Sequence, residues 1–323
     1  MEINKLFDER EKYSQKKIDA LQSTLKEAPE LKIIPKLTIF AAGSYARLEA
    51  SEYSDIDLFF LNCEDPKEML EPKTCKIKLF AKVLNTIESM QFPKFTNDGE
   101  YLELLHMADM INNLGGRYDD SENHFTTRML LLLESKYVYG ETYYKEAVSN
   151  IIASYFKDYP RHKDDFRPVF LYNDIMRYWK TLCLNYENKR HQTEKPGLIK
   201  NKVRNFKLKF SRMTTCFATI AALTSIDIKE ENVVDLVQRT PRQRLQLIPE
   251  IFPKTNEIVQ QMLNEYCWFL EMTGLSTNDI ETYFDDNEKR KEAFNRANAY
   301  SDLMYKMLCE VNIDKGIFRY LVI

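Results

Sequence analysis

Glycine is scarce: eight residues in 323, in a chain where 29% of residues are charged, which is the composition of a soluble, helix-rich globular protein. Neither charge dominates. With 46 basic and 49 acidic residues the formal net charge is -3, so there is no global attraction to nucleic acid, and any polyanion has to be met by a local basic cleft. The six cysteines (63, 75, 183, 216, 267, 309) form no CxxC pair and have no histidines at zinc-ligand spacing, so neither a disulfide framework nor a zinc site is indicated and they read as reduced, mostly buried thiols. No stretch of about 18 apolar residues occurs, and the opening MEINKLFDEREKYSQKK is densely charged with no apolar core. A cytoplasmic protein with no membrane partner is expected. GxxxxGK[ST] and GxGxxG are both missing, which removes the P-loop and Rossmann readings, and there is no internal repeat, heptad array or low-complexity tract.

A length of 323 residues accommodates two cores. Residues 3–28 place Leu6, Tyr13, Ile18, Leu21 and Leu25 among charges, the pattern of an amphipathic helix. The period then changes. Leu37 to Ala41, ended by Gly43, and Ile56 to Leu61 are short apolar runs rich in β-formers, two buried strands around a brief helical turn. A helical segment over Pro66 to Met90, interrupted near Pro72, and a third strand over Gly99 to Leu105 complete a small sheet domain. From Asp119 the pattern is helical: Asp120 or Ser121 is placed to cap a helix through Glu134, and further helices are predicted near 141–156, 166–187, 200–224, 255–272 and 285–312. The polar, basic stretch from Tyr186 to Lys202, broken by Pro196-Gly197, reads as an exposed connection. The expected fold is α+β, a small mixed sheet in residues 1–137 followed by an all-helical domain in 138–323.

One dense motif stands out. Ala42-Gly43-Ser44-Tyr45-Ala46-Arg47 leads out of the first strand, and with ten residues between, Ser44 is followed by Asp55-Ile56-Asp57-Leu58-Phe59-Phe60. Alternation along a strand puts Asp55 and Asp57 on one face, with Ile56 and Leu58 on the core side. The two carboxylates, roughly 7 Å apart along the strand, can reach the same divalent ions, and magnesium takes one or two protein carboxylates and fills its shell with water and substrate phosphates. A third carboxylate on a neighbouring strand helps hold a second ion; Glu103 is the candidate, with Glu100 its rival. Gly43 permits a backbone conformation closed to other residues and the close approach of a phosphate, and Ser44 offers a hydroxyl and an amide. Arg47 either neutralises phosphate or forms an ion pair that orders the loop.

The run GSYARLEASEYSDIDLFFL resembles the core of the DNA polymerase β-type nucleotidyltransferase superfamily, in the branch of the PII uridylyltransferase N-terminal domain and its stand-alone relatives. The resemblance extends through Asn123 to Ser135 and, more loosely, through Asn173 to Trp179 and Lys207 to Arg212. It implies a mixed sheet bearing two or three carboxylates, a helical domain that closes over the nucleotide, and a magnesium-dependent enzyme, with two ions, that moves a nucleoside monophosphate from an NTP or dNTP to a hydroxyl acceptor. The acceptor is open among a protein side chain, a nucleic-acid end and another nucleotide. By analogy, stand-alone relatives point to oligonucleotide or signal synthesis in bacterial antiviral defence with a partner effector protein; uridylylation or adenylylation of a protein is the alternative, as is a catalytically silent nucleotide sensor. The chain has no room for that enzyme's regulatory ligand domains and shows no HD-type phosphohydrolase pair.

Other constellations are weaker. Asn173, Arg177 and Lys180 share one helical face, placed either to line a nucleotide cleft or to meet solvent. Lys209 and Arg212, with Lys200, Lys202, Arg204 and Lys207 before them, concentrate positive charge suited to triphosphate or acceptor contact, or to solvation alone. Arg128, in the apolar FTTRMLLLLES, needs a carboxylate partner, which the sheet can supply. His106 and His124 read as packing residues, and Tyr320, in the apolar C-terminal tail, as a docked ring or a protein primer.

Overall fold

The computed structural model describes residues 2–65, 73–93, 102–163, 166–191 and 195–322. The fold is α+β, a small mixed sheet in the N-terminal region followed by helices. The chain divides into two units: Glu9–Arg161, and a second that joins Met1–Asp8 to His162–Ile323. Among the described residues no helix is long and apolar enough to cross a membrane.

In the first unit, helix α1 (Glu2–Lys26) precedes strand β1 (Leu37–Ala42), a one-turn helix α2 (Gly43–Ala46) and strand β2 (Asp57–Asn62). Helix α3 (Lys73–Ser89), strand β3 (Leu104–His106), short helices α4 (Met107–Asn112) and α5 (Arg117–Ser121), helix α6 (His124–Leu133), strand β4 (Ser135–Tyr139) and helix α7 (Glu141–Tyr155) follow. The sheet order is β3-β2-β1-β4, with β1 antiparallel to both neighbours and β2 parallel to β3. Strand alternation sorts the faces. Ile39, Ala41, Ile56, Leu58 and Phe60 join Ile18, Leu21 and Leu25 of α1 and Leu79, Val83 and Ile87 of α3 in one core. On the opposite face α6 and α7 pack against β1, and Phe40 stacks on its cross-strand partner Phe59 at 5.4 Å, a pair worth about 0.5–1.5 kcal/mol beyond burial.

β4 is the main departure from the sequence reading. Paired with β1 from Ala42↔Ser135 to Ile39↔Tyr139, and tied by the Thr38 hydroxyl donating to the Tyr139 carbonyl (2.9 Å), it carries the first unit past residue 137 to Arg161. The expected boundary at 137 is therefore corrected: α7, assigned from sequence to the helical domain, packs on the sheet. Gly140 makes the turn possible, at φ +70° with a Cβ there lying 2.1 Å from the Leu37 carbonyl oxygen. The predicted helix from Pro66 and strand from Gly99 are realised over Lys73–Ser89 and Leu104–His106; their remaining parts, Glu100 included, fall largely outside the described residues.

The second unit is helical. Helix α8 (Val169–His191) is followed by α9 (Lys195–Lys207), a π-helical turn (Leu208–Arg212) and α10 (Met213–Ser225). Then come α11 (Glu230–Gln238), α12 (Pro241–Ile251), α13 (Asn256–Thr273), α14 (Thr277–Asp285), α15 (Asn287–Lys315) and α16 (Phe318–Val322). Local sequence sets the ends. Thr240 and Gln243 form a capping box before α12, Ser276 and Asp286 cap α14 and α15, and Gly316 ends α15 at φ 62°. The expected connection over 186–202 is mostly helix, since α8 runs to His191 and α9 starts at Lys195; its charges are those of a solvated face, as in the Glu187–Arg190 pair at 3.0 Å. The core gathers around α10 and an aromatic cluster in which Phe210 stacks on Tyr300 (4.7 Å) and Phe269 (5.0 Å).

As expected from sequence, the cysteines are free thiols. Burial pushes Cys63 and Cys216 up to about 12 from 9.0, and the Tyr172 phenol up to about 12 from 10.0. The unfolded chain gives up these protons first, so the stability they contribute is intact below pH 9.0 and is lost as pH rises toward 12. Urea midpoints are expected to fall between about pH 8 and about pH 10.5, and Cys216→Ala to flatten part of that fall.

Candidate functional site

The site builds outward from the end of β1. Ala42, the last residue of that strand, pairs with Asp57, the first of β2. The next residue, Gly43, turns the chain at φ +72°, and a Cβ added there would lie 3.4 Å from Asp57 Oδ2. The Asp57 carboxylate thus covers the bare face of the glycine. Gly43→Ala meets both a left-handed backbone and this carboxylate, and is expected to lower stability by about 1–2 kcal/mol, read as a shifted urea midpoint.

Burial follows the alternation read from sequence: Ile56 and Leu58 are 1% and 2% exposed, Asp57 is half-buried and Asp55 exposed. Asp55 lies just ahead of β2, within electrostatic reach of Tyr45. Burial drives the Tyr45 phenol well above its ordinary range, with Tyr13, to which it is hydrogen-bonded, and the Asp55 charge adding to the shift. Sequence reasoning did not connect Tyr13 and Tyr45 to the aspartates.

Ser44, half-buried, accepts the Glu49 amide at its carbonyl (2.8 Å). Arg47 forms the ion pair that was the alternative to phosphate contact. Its guanidinium is 8% exposed, donating from Nε to Glu49 Oε2 (2.8 Å) and from Nη1 to Glu134. Burial with two carboxylates commits it to ordering the loop.

Glu103 needs a correction. The parallel ladder starts at Phe60↔Leu104, so Glu103 falls beside Phe59, on the aspartates' face but two residues, roughly 7 Å, further along than Asp57. Among the described residues no three His, Cys, Asp or Glu side chains are gathered closely enough to hold a metal ion. The oxygen donors Asp55 and Asp57 by themselves suit magnesium, which takes one or two protein carboxylates.

Glu103 belongs instead to an open groove of about 370 Å³ along the edge strand β3, lined also by His106, Asp109, Tyr118, Glu122 and His124. No sequence signal marks it, because its residues come from four short elements that share no motif. Arg128 has its carboxylate, though from α5 and not from the sheet: Asp119 takes Nη1 and Nη2 at 2.7 and 2.9 Å, and Tyr155 Oη and the Met110 carbonyl accept the rest. Asp119 is thereby a buried counter-ion.

The remaining candidates lie in the second unit. Asn173 and Arg177 are half-buried on α8, with Arg177 3.6 Å from Asp174, and Lys180 is exposed. Lys209 donates to Asn298 Oδ1 (2.7 Å), and it and Arg212 both sit in the π-helical turn, a deformation common at functional sites. Tyr320 stacks on Tyr172 at 5.9 Å, as a docked tail would. No family model matches the chain, nor does any curated protein or solved structure.

Proposed function

We propose that the first unit is a magnesium-dependent nucleotidyltransferase of the polymerase β type, moving a nucleoside monophosphate from an NTP or dNTP to a hydroxyl acceptor. The observation that carries this reading is the pairing of two aspartates, alternating with core-facing Ile56 and Leu58, with a positive-φ glycine whose bare face lies against the second carboxylate. A sheet of this size followed by helices is also what the resemblance implies.

In this reading Asp55 and Asp57 hold magnesium, two ions by the resemblance, which when bound neutralises phosphate charge and favours loss of pyrophosphate. Gly43 lets a phosphate approach the backbone, and Ser44 donates its hydroxyl to it. Arg47 acts one step back, fixing the turn through Glu49 and Glu134. Magnesium and each labelled NTP and dNTP, with the products and the protein analysed by mass spectrometry, test the proposal. Labelled product or self-labelling that disappears in Asp55→Ala and Asp57→Ala supports it; saturable nucleotide binding without product means a sensor.

A further inference from the structure

Asp57 and Asp55 are placed by different means. The ladder with β1 opens at Ala42↔Asp57, so the sheet itself fixes Asp57 beside Gly43. Asp55 precedes the ladder and takes its position from the connection 47–56, which joins α2 to β2. That connection is built of two local turns. The first closes through the Arg47 amide donating to the Gly43 carbonyl (3.0 Å) and the Glu49 amide to the Ser44 carbonyl (2.8 Å). The second closes through the Ser54 amide donating to the Ser51 carbonyl (3.0 Å) and the Ser51 amide to Ser54 Oγ (2.9 Å). Ala50 is the joint between them.

The Ala50 amide is held from outside the connection. It donates to Ser14 Oγ of α1 at 3.0 Å, a bond between positions 36 apart, and both residues are 0% exposed. A serine hydroxyl has one proton, and here that proton goes to the Arg10 carbonyl at 2.7 Å, so the oxygen meets Ala50 with lone pairs alone. Polarity and direction are both set. Arg10 and Tyr13, which share a helical face with Ser14, meet the same connection: Arg10 lies within electrostatic reach of Glu52, and Tyr13 is hydrogen-bonded to Tyr45. Leu48, two residues before Ala50, sits at φ 60°, a left-handed backbone that leucine keeps only where its surroundings impose it. The tether at Ala50 is one such constraint.

We propose that Ser14 is a positioning residue of the transfer site, holding Asp55 through the Ala50 amide in the place from which it takes up magnesium. The role rests on the transfer reading, which gives Asp55 its metal. A segment that occupies its competent position for only a fraction of the time binds with an apparent affinity reduced by that fraction. Loosening the tether therefore raises the magnesium required without removing a ligand.

Three variants of the full-length protein test the role. Ser14→Ala deletes the acceptor, Ser14→Cys keeps a weaker one in similar space, and Leu25→Ala loosens the core packing of α1 about three turns further along the helix. Hydrogen exchange without nucleotide or metal, read by mass spectrometry, is expected to rise about tenfold over 47–56 in Ser14→Ala and to stay unchanged over β1. The magnesium concentration that half-saturates pyrophosphate release is expected to rise about tenfold, with the rate at saturating magnesium within about twofold of wild type. Ser14→Cys is expected to show both changes in smaller measure, and it carries the comparison should the alanine variant fail to fold. Leu25→Ala is expected to lower the melting temperature and to show neither change. Exchange over 47–56 that is unchanged, that rises with no shift in half-saturation, or that rises equally in Leu25→Ala overturns the positioning role and leaves the transfer reading standing. A wild-type protein that releases no pyrophosphate from any NTP or dNTP with magnesium overturns the transfer reading, and the role of Ser14 with it.

Discussion

Replacing Asp57 with Asn is expected to slow nucleotidyl transfer by on the order of 10³-fold, equivalent to about 4 kcal/mol of lost transition-state stabilisation, while the thermal midpoint barely moves. The substitution keeps the shape of the side chain and removes only its charge, and Asp57 is half-buried at the very start of β2, where the loss of a charge costs about 0.5 kcal/mol or less in stability. Asp65→Asn, at an exposed acid beyond the same strand, is the control and is expected to leave the rate unchanged. Pyrophosphate release and a melting curve on the same preparations separate the two effects. A fully active Asp57→Asn protein would remove the aspartate pair from the chemistry.

Arg128→Met is expected to be the most destabilising single change in the first unit, by about 3–5 kcal/mol, or on the order of 10 °C in melting temperature. Arg128 and Asp119 are both 0% exposed, so deleting the guanidinium strands a carboxylate in the interior. The carboxylate keeps the Gly115 amide (3.1 Å), a neutral donor against a full charge. Arg128→Met/Asp119→Leu, which removes both charges, is expected to recover most of the loss. Calorimetric melting of the parent, the two single variants and the double variant forms the cycle, and additive losses would mean that the pair is not coupled.

What could be read from the sequence was whatever a short window contains. β1, β2 and the aspartate pair carry their own alternation, α1 its own apolar stripe, and both recur in the fold nearly residue for residue. β4 was not visible, because Ser135-Lys136-Tyr137-Val138-Tyr139 has one fully buried residue and abuts a helix with only Glu134 between. Its strand character comes from the vacant edge of β1, a partner about 95 positions earlier. The same limit applies to Glu103, whose position relative to Asp57 depends on the register between two strands and not on either strand alone. Arg47 illustrates it again: Glu49 is within sight in the sequence, but Glu134, 87 residues away, is not.

That shared guanidinium bears on how an anion would be received beside Gly43. Side chains from distant parts of the chain lock the bend, Arg47 tying Glu49 to Glu134, so its backbone is held before anything arrives. Such preorganisation shifts the entropic cost of ordering from the binding event to folding, where it is met once. In the proposed reading, affinity at the bend is thereby tied to two buried carboxylates, Glu49 and Glu134.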